Sequence, residues 1–202
     1  MNDKREYRSF DLNIEKRAEG EQPSFLVEGY ASTYKPYVLF SEDGVDYSEV
    51  IDRHAFDNAD FSDCVFRVDH EGQVFARVSN KTVKIDIDDH GLHHVTDLSK
   101  TAKARSLYED IEAGIYPQMS FAFTVREDAY DYETHTRTIL SIDKVYDIAP
   151  VTWPANPDTE LDVKTRDYFN GVIEAEKAER LDAEKRQRDA EKLKLRLKLM
   201  EV

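Results

Sequence analysis

A β-rich α+β fold is what this 202-residue chain predicts. Three observations carry the prediction. Short runs of alternating apolar and polar residues, separated by Gly, Asn and Asp turns, recur between residues 24 and 98. A single amphipathic helical pattern interrupts them over 100–113. More alternating runs then follow, as far as Ala149. Strands, one helix and strands again is the order of an α+β domain, and closure or near-closure into a β-barrel with a few flanking helices would remove exposed edges. A long charged helix is expected at the C-terminus. The domain organisation expected is 1–160, with a core over about 24–157, followed by a helical segment over 161–202.

The elements follow in chain order. Residues 1–22 are polar and charged, with one strand around Tyr7–Asn13. Ser24–Tyr34 reads as a strand whose Gly29 permits a bulge or close approach. Pro36–Gly44 reads as a connection with an acidic turn, and Tyr47–Ile51 as a second strand. Asp52 is positioned to cap a short helix carrying Ala55, Phe56 and Phe61. Cys64–His70 reads as a strand stopped by Glu71 and Gly72. Val74–Ser79 and Thr82–Ile87 look like a hairpin around Asn80 and Lys81, and Gly91–Leu98 like a further strand. In the helix over 100–113, Ala104, Leu107 and Ile111 form the apolar stripe. Thr101 or Ser99 caps its start and Gly114 ends it. Tyr116–Val125 is a strand with Met119, Phe121, Phe123 and Val125 on one face and Ser120, Ala122 and Thr124 on the other. Thr134–Ala149 supplies one or two more strands. Pro150–Pro157 contains three prolines and should be irregular. Residues 165–202 hold one glycine, no proline and dense Glu, Lys, Arg and Ala. Val172, Ala175, Ala178, Leu181, Leu193, Leu197 and Met200 give that helix only a thin apolar seam, which suits a docking arm for a helical partner.

The chain carries 28 Lys+Arg against 42 Asp+Glu, for a formal net charge of -14. That balance argues against nucleic acid or an anionic membrane as the main partner. No apolar run approaches the length of a membrane span, and Met1–Glu6 lacks the apolar segment of a signal peptide, so a cytosolic site of synthesis is expected. Cys64 is the only cysteine, which excludes an intrachain disulfide.

A serine on the small, polar face of a strand whose other face is aromatic is a candidate nucleophile, and Ser120 is that residue. A serine alkoxide at neutral pH needs a base within hydrogen-bond reach and an acceptor that orients the base. Six histidines are present: His54, His70, His90, His93, His94 and His135. His70, at a strand end before a glycine-containing turn, is the best placed base. Asp143 and Asp147 are spaced to share one face of a strand otherwise rich in Ile, Val and Tyr, and are candidate orienters. Asp86, Asp88, Asp89, His90, His93 and His94 form the rival cluster, a candidate site for a divalent ion in a metal-dependent hydrolase. It straddles a tight turn, and His93 and His94 point to opposite faces of a strand. The phosphate-binding loop and the dinucleotide glycine fingerprint are missing, and no cofactor is expected.

Several segments together resemble the prohead (capsid maturation) proteases of tailed phages, whose fold is similar to the herpesvirus assemblin proteases. Gly29-Tyr-Ala31 looks like the family's opening Gly-x-Ala. Glu49-Val-Ile-Asp-Arg-His-Ala-Phe56 looks like Glu-x-Ile-x-Pro-Gly-Ala-Phe, with Arg53 and His54 replacing proline and glycine. Asp69-His70 matches the histidine motif and Gly91-Leu92 a recurrent Gly-Leu pair. Met119-Ser-Phe-Ala-Phe123 looks like Leu-Ser-x-Gly-Phe, with Ala122 for glycine. Asp147-Ile-Ala-Pro-Val-Thr-Trp-Pro-Ala-Asn-Pro157 resembles Glu-x-Ser-x-Val-Thr-x-Pro-Ala-Asn-Pro. The resemblance implies an assemblin-like barrel and a serine endopeptidase with Ser120 as nucleophile, His70 as base and Asp147 as third member. Asp143 is second choice, and His135 is the candidate by analogy with the herpesvirus relatives. It implies cleavage of the scaffolding part of the major capsid protein, or of a separate scaffold protein, and of itself. The setting implied is the host cytoplasm, inside the immature capsid, with homodimer formation left open. The competing reading is a non-enzymatic scaffold or capsid-assembly binding protein that acts through its charged helix.

Overall fold

The computed structural model describes residues 5–11, 25–152 and 163–200. The chain divides into two compact units, Met1–Asp162 and Val163–Val202. In the first, strands β1 (Glu6–Asp11), β2 (Leu26–Thr33), β3 (Tyr37–Glu42), β4 (Val45–Ile51), β5 (Val65–Val68), β6 (Glu71–Arg77), β7 (Val83–Ile87) and β8 (Gly91–Asp97) precede helix α1 (Ala102–Glu112). The long strands β9 (Gln118–Asp131) and β10 (Thr136–Val151) follow it. The fold is mixed, β-rich α+β.

Two sheets are formed. One runs β1-β9-β10-β4-β3, with β5 and β6 attached beyond β10, and the other runs β2-β8-β7. β10 is the organising strand. It pairs antiparallel with β9 along its whole length and parallel with two partners in turn, β4 at Thr136–Ile139 and β5 at Asp147 and Ile148. A sheet that branches in this way has no single edge to close upon, so among the described residues there is no closed barrel, contrary to the expectation. The hairpin expected around Asn80 and Lys81 is also absent. β6 pairs with β5 and β7 with β8, so the Val78–Thr82 connection crosses between sheets. The short helix after Asp52 is a run of turns, and the expected connection over 36–44 contains β3.

α1 forms as its pattern dictates. The Thr101 hydroxyl accepts from the Ala104 N–H, Ala104, Leu107 and Ile111 are buried, and Gly114 leaves the helix at φ 77°. Gly91 is required by crowding: a Cβ there would lie 2.0 Å from the Ser32 carbonyl oxygen. The core gathers Phe66, Met119, Phe121, Phe123, Ile139, Ile142, Val145 and Ile148 from β5, β9 and β10 with Leu92, Leu98, Leu107 and Ile111. In the second unit, α2 spans Val163–Met200. Leu181 and Leu193 on it are 60% and 59% exposed, so the thin apolar seam is open along this stretch.

Candidate active site

β9 is entered just before Ser120, and its alternation sends Met119, Phe121 and Phe123 into the core. Ser120 lies on the other face, opposite Ser9 of β1 and Ala149 of β10. That face is also covered: Ser120 is 1% exposed and Ala122 fully buried, where the sequence suggested an open, polar surface.

The position of Asp147 depends on a bulge. Val145 pairs with Phe123, but Asp147 pairs with Ala122, so Tyr146 is the extra residue in β10. Cross-strand partners share a face. Val145 therefore enters the core with Phe123, while Asp147 joins Ala122 and Ser120 on the opposite side. The unbroken alternation assumed from sequence, with Asp143, Val145 and Asp147 on one face, does not hold.

His70 arrives from a third element. Val68 of β5 pairs with Glu71 of β6, which leaves Asp69 and His70 as a two-residue loop. Both adopt left-handed backbone, at φ 48° and 58°, as the type I′ turns of tight hairpins require. The turn is thus Asp69-His70 itself, not the Glu71-Gly72 step that followed it in the sequence reading. His70 Nε2 lies 2.7 Å from Ser120 Oγ, and His70 Nδ1 lies 2.5 Å from Asp147 Oδ1. With Nδ1 protonated, the imidazole donates to the acceptor-only carboxylate and Nε2 accepts the serine O–H. The Tyr7 ring, one position from β1's pairing with Ser120's neighbours, packs on the imidazole at 4.6 Å between centroids.

The other candidates lie elsewhere. Asp143 is half exposed and accepts from Arg126 at 2.7 Å. His135 sits in the β9–β10 turn beside Tyr47 and Tyr130. From the Ser120–Ala149 pair to that turn is a ladder of roughly 35 Å at about 3.3 Å per residue. His90 meets the Tyr30 ring edge-on and His93 packs against it at a tilt, and His54 contacts Asp57. His94 is buried, with Nδ1 3.0 Å from Thr96 Oγ1; burial lowers its pKa to about 3. Among the described residues no group of three or more His, Cys, Asp or Glu is arranged to hold a metal ion. Burial pushes the Cys64 thiol up to about 12, aided by the charges of Asp147 and Asp63, which leaves it a protonated core residue.

Sequence reasoning missed a second polar constellation. Glu49 is fully buried, and Glu6, Arg8 and Arg137 nearly so. Arg8 grips Glu49 through two donors at 2.5 and 2.7 Å and reaches Glu6 at 2.8 Å. Arg137 donates to Glu6 at 2.7 and 3.1 Å, to Glu49 at 3.2 Å and to Asp128 at 2.6 Å. The Tyr37 hydroxyl completes it by donating to Glu49. Burial would raise the Glu6 pKa, but Arg137 and Arg8 hold it below the usual carboxylate value. The available signal was strand parity, since Glu49 alternates with Tyr47 and Ile51, both buried.

A family model described as caudovirus prohead serine protease matches residues 10–172. No curated protein and no solved structure matches the chain.

Proposed function

The chain belongs to the caudovirus prohead serine protease family, and from that premise we propose that Ser120, His70 and Asp147 form its catalytic unit. One observation carries the assignment: the unbroken relay from Ser120 Oγ through both ring nitrogens of His70 to Asp147, at 2.7 and 2.5 Å. In such a unit Ser120 Oγ attacks the scissile carbonyl while its proton passes to His70 Nε2. The tetrahedral adduct then collapses, the C–N bond breaks, and His70 returns the proton to the leaving amine. Water hydrolyses the Ser120 ester by the same steps. Asp147 fixes the tautomer and offsets the positive charge that the ring acquires. An acyl carbon has to reach a serine that is 1% exposed, whereas the His70 side chain keeps 14% of its surface open, so approach is from the histidine side.

Family membership implies a phage capsid-maturation protease that meets capsid proteins. Our finer reading is that it cuts the scaffolding part of the major capsid protein, or a separate scaffold protein, inside the prohead, and then cuts itself. The charged α2 serves as the docking arm; the open Leu181 and Leu193 amid dense charge support this. We place the self-cleavage junction near Asn156–Asp167, a segment that lies largely outside the described residues. A fluorophosphonate probe tests the catalytic assignment. Wild type should be labelled on Ser120, and Ser120→Ala and His70→Ala should not; labelling of Ser120→Ala at the wild-type rate would overturn it. Deleting everything after Thr165 should leave labelling intact while incorporation into proheads falls; normal packaging of the truncated chain would remove the docking role.

A further inference from the structure

His70 is carried on a turn that has little to hold it in place. Asp69 and His70 are successive non-glycine residues in left-handed backbone, and the Asn-Gly pair that favours such a turn is absent. β5 meets β10 at two ladder positions only, Asp147–Val65 and Ile148–Phe66. Beyond the turn, Glu71–Val74 of β6 are exposed. Arg67 donates across the hairpin to the Gly72 carbonyl at 2.9 Å and Tyr7 packs on the imidazole, but neither fixes the angle at which the turn meets β10.

Three hydrogen bonds set that angle, and all run to the end of β10. The Asp69 N–H donates to the Pro150 carbonyl at 3.2 Å. The Thr152 N–H donates to Asp69 Oδ1 at 2.8 Å, and the Thr152 hydroxyl to Asp69 Oδ2 at 2.7 Å. β10 is also the strand that bears Asp147, five residues before Thr152. The turn of the base is therefore tied directly to the strand of the acid. We propose that Asp69 is a positioning residue whose carboxylate clamps the backbone and hydroxyl of Thr152, and thereby holds His70 between Asp147 and Ser120. The proposal rests on the Ser120–His70–Asp147 reading. Its logic is geometric: the clamp is partly exposed to water, so it contributes little to global stability, but a displacement of about 1 Å at the imidazole is enough to lower reactivity a hundredfold.

The experiment uses the full chain and a fluorophosphonate probe, with the limiting labelling rate separated from the half-saturating probe concentration. In parallel, the proton on His70 Nδ1 is followed by NMR on histidine-labelled protein, where a short bond to a carboxylate moves it far downfield. Asp69→Gly accepts φ 48° without strain but removes both side-chain bonds. It should lower the limiting rate by roughly ten- to a hundredfold, leave half-saturation and the melting temperature nearly unchanged, and abolish the downfield resonance. Asp69→Asn keeps an acceptor for the Thr152 N–H and a partner for its hydroxyl, and should restore most of the rate and the resonance. Thr152→Val, which loses only the hydroxyl, should fall between them. Ser120→Ala should label not at all yet keep the resonance. Wild-type labelling by Asp69→Gly, or slow labelling with the resonance intact, overturns the clamp. Should Asp69→Gly fail to fold, Thr152→Val decides by the same two readings. Labelling of Ser120→Ala would instead remove the catalytic reading underneath.

Discussion

β1 carries two buried polar constellations on its two faces, and they are built by opposite rules. On one face Glu6 and Arg8 pair across with Phe123 and Phe121 and join Glu49, Arg137 and Asp128 in a network where every charge meets an opposite one. On the other, Tyr7 and Ser9 lie opposite Ala122 and Ser120 and border the Ser120–His70–Asp147 relay, which holds one carboxylate and no arginine or lysine among its three members. The first is over-determined: Glu49 accepts from Arg8, Arg137 and Tyr37, so no single displacement frees it. The second is a single file, in which only His70 has a partner on each side. Redundancy suits a group of charges that must stay fixed. A single file suits protons that have to move. Loss of function and loss of stability should therefore separate cleanly between the two faces.

The largest expected effect tests the reactive face. His70→Ala and Asp147→Asn should each lower turnover by roughly a thousandfold or more, while the thermal midpoint stays near that of wild type. The double variant should be little worse than either single, because members of one relay act as a unit. Retained turnover in Asp147→Asn, measured on processed capsid protein, would break the comparison.

The charged face should respond the other way. Glu49→Leu leaves Arg8 without its bidentate partner in a site from which water is excluded, at a cost of about 3–5 kcal/mol. In a unit of this size that is a drop of roughly 10–15 °C in a melting scan. Turnover per folded molecule should hold. A Glu49→Leu protein that melts like wild type would show that the network is not a structural clamp.

Acid distinguishes a third buried site. The folded state keeps His94 neutral down to about pH 3, while the unfolded chain takes up a proton near 6.5. Between those values the unfolded state binds more protons, so stability is full above about pH 6.5 and lost as pH falls towards 3. The loss is at most about 1.4 kcal/mol per pH unit. Glu6, held low by its arginines, adds a loss in the same direction below its ordinary value of 4.5. Urea unfolding of His94→Leu at a series of pH values should give a flatter profile between pH 6.5 and 4. An unchanged slope would remove His94 as the cause.

Asp143→Asn should do least. Its bond to Arg126 joins two half-exposed side chains and is worth under about 1 kcal/mol. Turnover and melting should both match wild type, and a marked loss of turnover would reopen the choice of acid.

How much of this was legible in the sequence differs from strand to strand. β9 and α1 declare themselves because their apolar spacing is uninterrupted and one rule governs each. β10 does not, because four register shifts break its parity, the last at Tyr146, and no glycine marks any of them. Asn80 and Lys81 turn the chain without joining a hairpin, because turn chemistry is local whereas the choice of sheet is made by partners far away in sequence. The charged network escaped notice because each of its members, taken singly, looks like a solvated surface residue. Only opposite charges at inward parity on separate strands reveal it. Asp69 stands in the sequence only as the neighbour of His70, because its own partner, Thr152, lies 83 residues on.

The order of the relay along the chain has a consequence for when the protein first acquires cutting power. On the proposed roles, the base His70 lies 50 residues before the nucleophile Ser120 and 77 before the acid Asp147, and the ladder that aligns them runs to Val151. A ribosome that has just released Ser120 has already produced base and nucleophile, but nothing yet holds them together. At ordinary synthesis rates of about 5–20 residues per second, the segment from Ser120 to Thr152 takes roughly 2–6 s to emerge. Contacts so distant in sequence also form late in folding, after the local strands and helix. On that assignment reactivity arrives in one step, once β10 has paired, and a chain that still lacks β10 does not hold the relay together.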